Sequence, residues 1–129
     1  LHKEYRRQRQ MCIRVSSNFN LLTGDDATTL AFMLYGGHGA ISVTSNIAPK
    51  LCSSFMNNCM QNNYEEASRI NDILMPLHSA LFIESSPGPV KYAASKLNLC
   101  EDEVRLPLIN ISEETKAIVD KALKHASLL

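Results

Sequence analysis

Four consecutive residues, Thr23-Gly24-Asp25-Asp26, follow a short apolar run and combine a hydroxyl, a glycine and two carboxylates. Residues at the carboxyl end of a strand in an α/β protein meet ligands. Asp25 and Asp26 could form a catalytic or metal-binding pair. Adjacent side chains on a strand point apart, however, and a structural reading also explains both residues, as a helix N-cap, predicted to be Asp26, and a first-turn acid. Gly24 is a candidate ligand contact, because its backbone can approach a substrate closely.

The glycine-rich segment Gly36-Gly37-His38-Gly39 does not have the context of a dinucleotide-binding fingerprint. It follows a predicted helix and precedes a predicted strand, the reverse of the required order. We expect a structural role for His38. The hydroxyls of Ser42, Thr44 and Ser45 could donate hydrogen bonds to a ligand, but no partner base is identifiable in the sequence.

The chain has four cysteines, and their spacing does not indicate a zinc site. They are Cys12, Cys52, Cys59 and Cys100, with no C-x-x-C pair and no paired histidines nearby. Cys52 and Cys59 would share one face of a helix, but about 10.5 Å of axial rise would separate them, too far for a disulfide. We predict four reduced thiols, typical of a reducing compartment, with no metal site and no cofactor.

Composition and length limit the class of protein. The 129 residues are 45% hydrophobic and 20% charged, as in an ordinary globular chain. Thirteen basic residues balance thirteen acidic ones, which gives no support for binding nucleic acid or an anionic membrane. A complete (β/α)8 barrel needs roughly 250 residues, so this chain is too short to form one.

The amino-terminal segment differs from the rest of the chain. Residues 1–14 contain five Lys or Arg and one Glu, so their net charge is +4. This basic segment could be an RNA-binding or targeting arm, but a solvated helix face is expected. No apolar stretch reaches the roughly 18 residues of a membrane span, and no signal peptide is recognisable. We therefore expect a cytoplasmic protein, and a first residue Leu1 indicates that the natural N-terminus is missing.

Apolar patterning over residues 19–62 predicts two strands that are each followed by a helix. The predicted strands are 19–23 and 40–44, and the helices are 27–35 and a second from Pro49 to about residue 62. The connection between the strands is about 16 residues, enough for a parallel crossover. Two parallel strands cannot cover their own edges and faces. Something else must therefore lie beside them.

Residues 63–129 are predicted to be mainly helical. A helix over 64–84 should be kinked or divided at Pro76, a turn covers 85–89, a short helix covers 90–98, and 105–108 are extended. Ser112 is predicted to cap a last helix with glutamates in its first turn. The predicted buried stripe of that helix is Thr115, Ile118, Val119, Ala122 and Ala126.

The residues themselves resemble a known family. The similarity is carried, in order, by the segments Leu21–Asp26, Gly37–Pro49, Leu74–Leu77, Leu81–Glu84, Pro89–Lys91 and Arg105–Leu108. These segments resemble the seventh and eighth strands and the C-terminal part of the dihydrodipicolinate synthase family. The resemblance covers about residues 19–129. Ser86-Pro87-Gly88-Pro89 departs from the family's usual Asn-Pro-Ile-Pro.

The resemblance implies a class I aldolase-type lyase of lysine and diaminopimelate biosynthesis. In such enzymes a lysine forms a Schiff base with pyruvate, and the enamine attacks aspartate semialdehyde. The resemblance also implies that Gly24 lines the pyruvate pocket and that the backbone carbonyl of Ile41 faces the substrate. Counted back without gaps, the Schiff-base lysine falls just before Leu1. Lys3 is a weak candidate for it, since matching it requires a deletion.

We therefore expect an α/β chain that supplies the last two β/α units of a TIM (β/α)8 barrel and a C-terminal helical domain. The expected divisions are a basic, degenerate segment 1–18, barrel units 19–62 and helices 63–129. The expected function is that of the lyase, with the fragment inactive alone. The alternative is a noncatalytic helical module that pairs with another chain. The family is typically homotetrameric, so self-association or a complementary N-terminal half is the expected partner.

Overall fold

The computed structural model describes residues 19–129. The basic segment 1–18 lies outside the described residues, with the weak candidate Lys3 and the predicted reduced thiol Cys12. The described elements are β1 Leu22–Thr23, α1 Thr29–Leu34, β2 Gly39–Ala40, a short 3-10 helix Thr44–Asn46, α2 Pro49–Met60, α3 Tyr64–Ala80, α4 Gly88–Lys96 and α5 Glu113–His125.

The two strands pair in parallel, as the sequence predicts. Leu22 is opposite Gly39 and Thr23 is opposite Ala40. Helix α1 forms the crossover, and the glycines after it end it: Gly36 adopts a φ of +86°, where a side chain would be strained. The order β1-α1-β2-α2 is therefore confirmed.

The two faces of this small sheet have different surroundings. Paired residues in a parallel sheet point to the same side, so Leu22, Gly39 and Ile41 share one face. A Cβ on Gly39 would lie 3.0 Å from a methyl of Leu22, which places that side chain over the glycine. Leu22 is 52% exposed and Ile41 is 70% exposed. The face opposite the helices is thus apolar and open in the described part of the chain.

The second strand is shorter than the predicted 40–44, and the first is shorter than 19–23. Residues 44–46 form a 3-10 turn in which the Ile47 and Ala48 amides donate to the Thr44 carbonyl. The amides of Val43 and Thr44 donate to a side chain, the carboxylate of Asp26, instead of to a neighbouring strand. The β-prone composition of 40–44 is overridden by this competing acceptor.

Of the two outcomes predicted at Pro76, a kink or a division of the long helix, the structure excludes the division. Helix α3 is continuous from Tyr64 to Ala80, which is shorter than the predicted 64–84. A proline removes one helical hydrogen bond, and the buried leucines on either side hold the helix in the core. Leu74 and Leu77 are both buried.

Three further expectations need correction. Helix α4 begins at Gly88, inside the predicted turn. Proline is tolerated at Pro89 because backbone N–H groups in the first turn of a helix have no acceptor within the helix, so the missing N–H costs nothing. Residues 105–108 form a turn, closed by the Leu108 amide on the Arg105 carbonyl, and are not extended. Ile118 is exposed, at the border of the otherwise buried stripe of α5.

Helix α3 is the centre of the core. It packs against α2 on one side and α5 on another. The cluster includes the buried residues Phe55, Ala67, Ile70, Leu74, Leu77, Val119 and Leu123. The predicted boundary at residue 62 falls between α2 and α3, which share this core, so the domain division stays a prediction. Among residues 19–129, no helix is both long and apolar enough to cross a bilayer.

The cap of α5 gives a testable stability effect. The Ser112 hydroxyl accepts from the Thr115 amide at 3.2 Å and donates to Glu84 Oε1 at 2.7 Å. Ser112→Ala should lower the free energy of unfolding by about 1–2 kcal/mol, since both bonds are lost. Urea unfolding measures this. Ser54→Ala, on the exposed side of α2, is the control and should change it by less than about 0.5 kcal/mol; equal effects would contradict the assignment.

Candidate functional site

Gly24 and Ile41, the two predicted substrate-binding residues, lie side by side. Each follows the last residue of its strand, and those residues, Thr23 and Ala40, are direct partners in the sheet. The Ile41 amide donates to the Thr23 carbonyl at 2.8 Å. Both residues are exposed at the carboxyl end of the parallel pair, the edge at which α/β proteins bind ligands.

The backbone carbonyl of Ile41 accepts no backbone hydrogen bond from residues 19–129. Gly24 leaves space beside it, because a Cβ built there would have no described atom within 4 Å. This edge can therefore present a carbonyl acceptor next to an unobstructed stretch of backbone.

Asp25 and Asp26 do not form a pair. Asp25 Oδ2 accepts the Thr28 hydroxyl at 2.6 Å. Asp26 is buried and turns towards β2, where its Oδ2 accepts the amides of Val43 at 2.9 Å and Thr44 at 3.1 Å. The prediction that Asp26 caps the following helix is wrong: the N-cap is Thr28, and no side chain caps α1. The backbone amides after β2 bind the Asp26 carboxylate in place of the amides at the start of α1. These hydrogen bonds compensate for the burial of the carboxylate.

His78, which was not predicted from the sequence, also lies beside the segment after β2. Its Nδ1 lies 2.7 Å from the Thr44 hydroxyl, which lies 3.2 Å from Asp26 Oδ2. His78 is only 5% exposed. A signal was present: His78 follows the buried Leu74 by four residues and therefore lies on the core face of α3. Thr44, named as a possible ligand donor, is instead fully buried in this network.

A cavity of about 260 Å³ lies between the sheet and the helices. Ala40, Ser42, Cys52 and His78 are among its lining residues. Burial, with the nearby Asp26 carboxylate, raises the pKa of the Cys52 thiol to about 11, and a hydrogen bond from Ser42 opposes this. The thiol is therefore protonated near neutral pH and is a poor nucleophile.

The other candidates are structural. His38 Nδ1 accepts the Leu21 amide at 2.8 Å, which supports the structural role predicted for it. Cys52, Cys59 and Cys100 are free thiols. Within residues 19–129 no three His, Cys, Asp or Glu side chains are grouped as a metal site would require.

The environment of His78 predicts a pH dependence of stability. Burial lowers the pKa of His78, and the carboxylates of Asp26 and Asp25 oppose that shift only partly. Since the folded protein disfavours the protonated ring, stability should fall as the pH drops from about 7 through the ordinary histidine value of 6.5.

Thermal unfolding between pH 7.5 and 5.5 tests this effect. The decrease in Tm should be smaller in His78→Asn than in the natural chain. His125→Asn, at the exposed end of α5, should keep the full decrease. A decrease that is unchanged by His78→Asn would contradict the assignment.

Gly24 and Gly37 should respond differently to an added methyl group. Gly24→Ala should change the free energy of unfolding by less than about 0.5 kcal/mol, because the Cβ would meet nothing. Gly37→Ala should lower it by about 1–3 kcal/mol, because the Cβ would overlap the Phe32 ring and lie 2.8 Å from its carbonyl oxygen. Urea titration compares them, and a large loss at Gly24 would show that its surroundings are not open.

The chain is similar to known proteins of one family. The model of the "Dihydrodipicolinate synthetase family" matches residues 2–126. The 4-hydroxy-tetrahydrodipicolinate synthase of Bartonella henselae is 50% identical over 122 residues, which are 95% of this chain and 40% of that protein. The family model matches from residue 2 onwards and so includes most of segment 1–18, which the motif resemblance did not cover.

Solved structures agree. The dihydrodipicolinate synthase of Thermotoga maritima superposes with a TM-score of 0.89 and 36% identity, covering 95% of this chain and 42% of that one. The chloride-inhibited enzyme of Acinetobacter baumannii, complexed with pyruvate, superposes with a TM-score of 0.82 and 37% identity, covering 86% and 38%. The chain spans about 40% of the length of the curated relatives it matches. It belongs to the dihydrodipicolinate synthetase family.

Proposed function

We propose that this chain provides the last two β/α units and the C-terminal helices of a TIM-barrel lyase of the dihydrodipicolinate synthase type. Its reaction is the condensation of a pyruvate Schiff base with aspartate semialdehyde, in lysine and diaminopimelate biosynthesis. The chain is inactive alone and acts in the cytoplasm with a complementary N-terminal half, in an assembly that is typically a homotetramer in the family.

The open apolar face of the sheet carries the barrel part of the proposal. In a (β/α)8 barrel the helices cover the outside of the strands and apolar side chains fill the inside. Here the helices lie on one side of β1 and β2, while Leu22 and Ile41 are exposed on the other. Further strands beside this pair would bury both side chains.

The position of Gly24 and Ile41 supports pyruvate as the ligand. A relative that is 37% identical to this chain has been solved in complex with pyruvate. In a TIM barrel the site is built from loops at the carboxyl ends of the strands. The edge with Gly24 and the Ile41 carbonyl, to which no described backbone amide donates, is at that end.

The placement of lysines supports inactivity of the chain alone. A Schiff base needs an amine beside the bound keto acid. Residues 19–46, which contain both strands and their loops, include no lysine. Lys3 lies outside the described residues and stays a weak candidate. The nucleophile is therefore proposed to come from the N-terminal half.

Complementation tests this function. The chain is mixed with the part of the Bartonella henselae relative that precedes the matched region, and condensation of pyruvate with aspartate semialdehyde is assayed. Borohydride reduction in the presence of pyruvate should give an adduct on the added half only. Turnover should require both pieces. A pyruvate adduct on Lys3 of the isolated chain would contradict the proposal.

Gly24→Val provides a matched variant. A Cβ at Gly24 would have no described atom within 4 Å, so the chain should fold and still pair, while the KM for pyruvate rises in the mixture. Ser54→Ala is the control and should leave KM unchanged. A stable monomer with two-state unfolding that does not pair with the N-terminal piece would instead contradict the barrel proposal. Pairing without turnover would favour the noncatalytic module.

A further inference from the structure

Three buried polar side chains connect the two strand ends to the helical part of the chain. Asp26 follows β1, Thr44 follows β2, and His78 lies in the last turn of α3. Asp26 and His78 are each 5% exposed, and Thr44 is fully buried. Polar groups at such depth cost free energy unless they are hydrogen-bonded, and the distances from Asp26 to Thr44 and from Thr44 to His78 satisfy that requirement.

The direction of the hydrogen bonds follows from what each group can donate. A carboxylate only accepts, so the Thr44 hydroxyl donates to Asp26 Oδ2. A hydroxyl has one proton, and the contact of 2.7 Å to His78 then requires the ring to donate from Nδ1. The order of donation is therefore His78 to Thr44 to Asp26.

One carboxylate oxygen holds both segments of the candidate site. Asp26 is two residues after Gly24, and its Oδ2 accepts the amide of Val43, two residues after Ile41. On the other side of this short segment, the Ile41 amide is bound to the Thr23 carbonyl. The peptide of Ile41 is thus fixed between the strand ladder and the Asp26 carboxylate.

We propose that His78 is a positioning residue for the reaction: through Thr44 and Asp26, it holds the Ile41 carbonyl in the orientation that the substrate needs. This inference rests on the proposed function for its catalytic consequence. Its structural part, the control of segment 41–44 by a side chain of α3, stands on the described geometry. Helix α3 would thus influence the edge formed by Gly24 and Ile41 through Thr44 and Asp26, without contacting the substrate itself.

A purely stabilising network would behave differently. In that case any variant of His78 would lower the melting temperature, but the surviving folded protein would keep segment 41–44 unchanged. A positioning role requires the segment to shift or loosen while the rest of the fold is kept. It also requires rescue by a side chain that restores only the donor.

Nuclear magnetic resonance on the full chain distinguishes the two. His78→Asn keeps a donor near the position of Nδ1, whereas His78→Leu removes it. In His78→Leu the amide signals of Ile41, Val43 and Thr44 should move. Hydrogen exchange at Val43 and Thr44 should accelerate about tenfold, the effect of losing one buried hydrogen bond. His78→Asn should retain most of the natural signals and rates.

Variants of Thr44 and of the core complete the design. Thr44→Ser keeps the hydroxyl and should behave like His78→Asn, with most natural signals and rates retained. Thr44→Val removes the hydroxyl and should behave like His78→Leu, with shifted signals and faster exchange. Leu123→Ala is the stability control. It leaves a cavity in the core at α5 and should lower Tm without moving the signals of Ile41 and Val43. If Thr44→Val and His78→Leu leave segment 41–44 unchanged, the positioning role is wrong.

The catalytic consequence is measured in the complemented enzyme. His78→Leu should lower kcat about tenfold or more, with the pyruvate adduct still formed, and His78→Asn should restore most of it. If the natural pair of pieces shows no turnover, the proposed function fails, and the resonance data still decide the positioning of segment 41–44. Equal kcat in His78→Leu and the natural chain would overturn the catalytic part.

Discussion

The hydrogen bonds of the buried Asp26 carboxylate hold the two strand ends of the candidate site together. Its Oδ2 accepts hydrogen bonds from two backbone amides and one hydroxyl of the segment after β2. Only two residues of each strand pair directly. So short a pairing fixes the relative position of the two strand ends only weakly. The hydrogen bonds of the Asp26 carboxylate therefore contribute much of what holds the strand ends in place.

The helical part of the chain is connected to the site through the same group. Helix α3 packs in the centre of the core, and it carries His78 to the Thr44 hydroxyl. A rigid helix that places one donor under a loop is a common way to hold a ligand-binding segment in a fixed geometry. This arrangement explains why residues 64–80, remote in sequence from Gly24 and Ile41, form one body with them.

Much of the fold could be predicted from the sequence because it depends on local patterns. The β-α-β-α order, the cap at Ser112 and the side-by-side positions of Gly24 and Ile41 follow from apolar spacing, capping chemistry and family resemblance. The extent of β2, the partner of Asp26 and the continuity of α3 at Pro76 could not, since each depends on contacts distant in sequence. His78 was missed because a single histidine in an apolar stripe does not reveal its partner.

We interpret the exposed apolar face of β1 and β2 as the inside of a barrel completed by other strands. Hydrogen exchange of residues 19–46 can be followed by mass spectrometry with and without the N-terminal piece of the Bartonella henselae relative. Exchange in this segment should slow strongly when the piece is added. Unchanged exchange in a mixture where the piece is folded would contradict it.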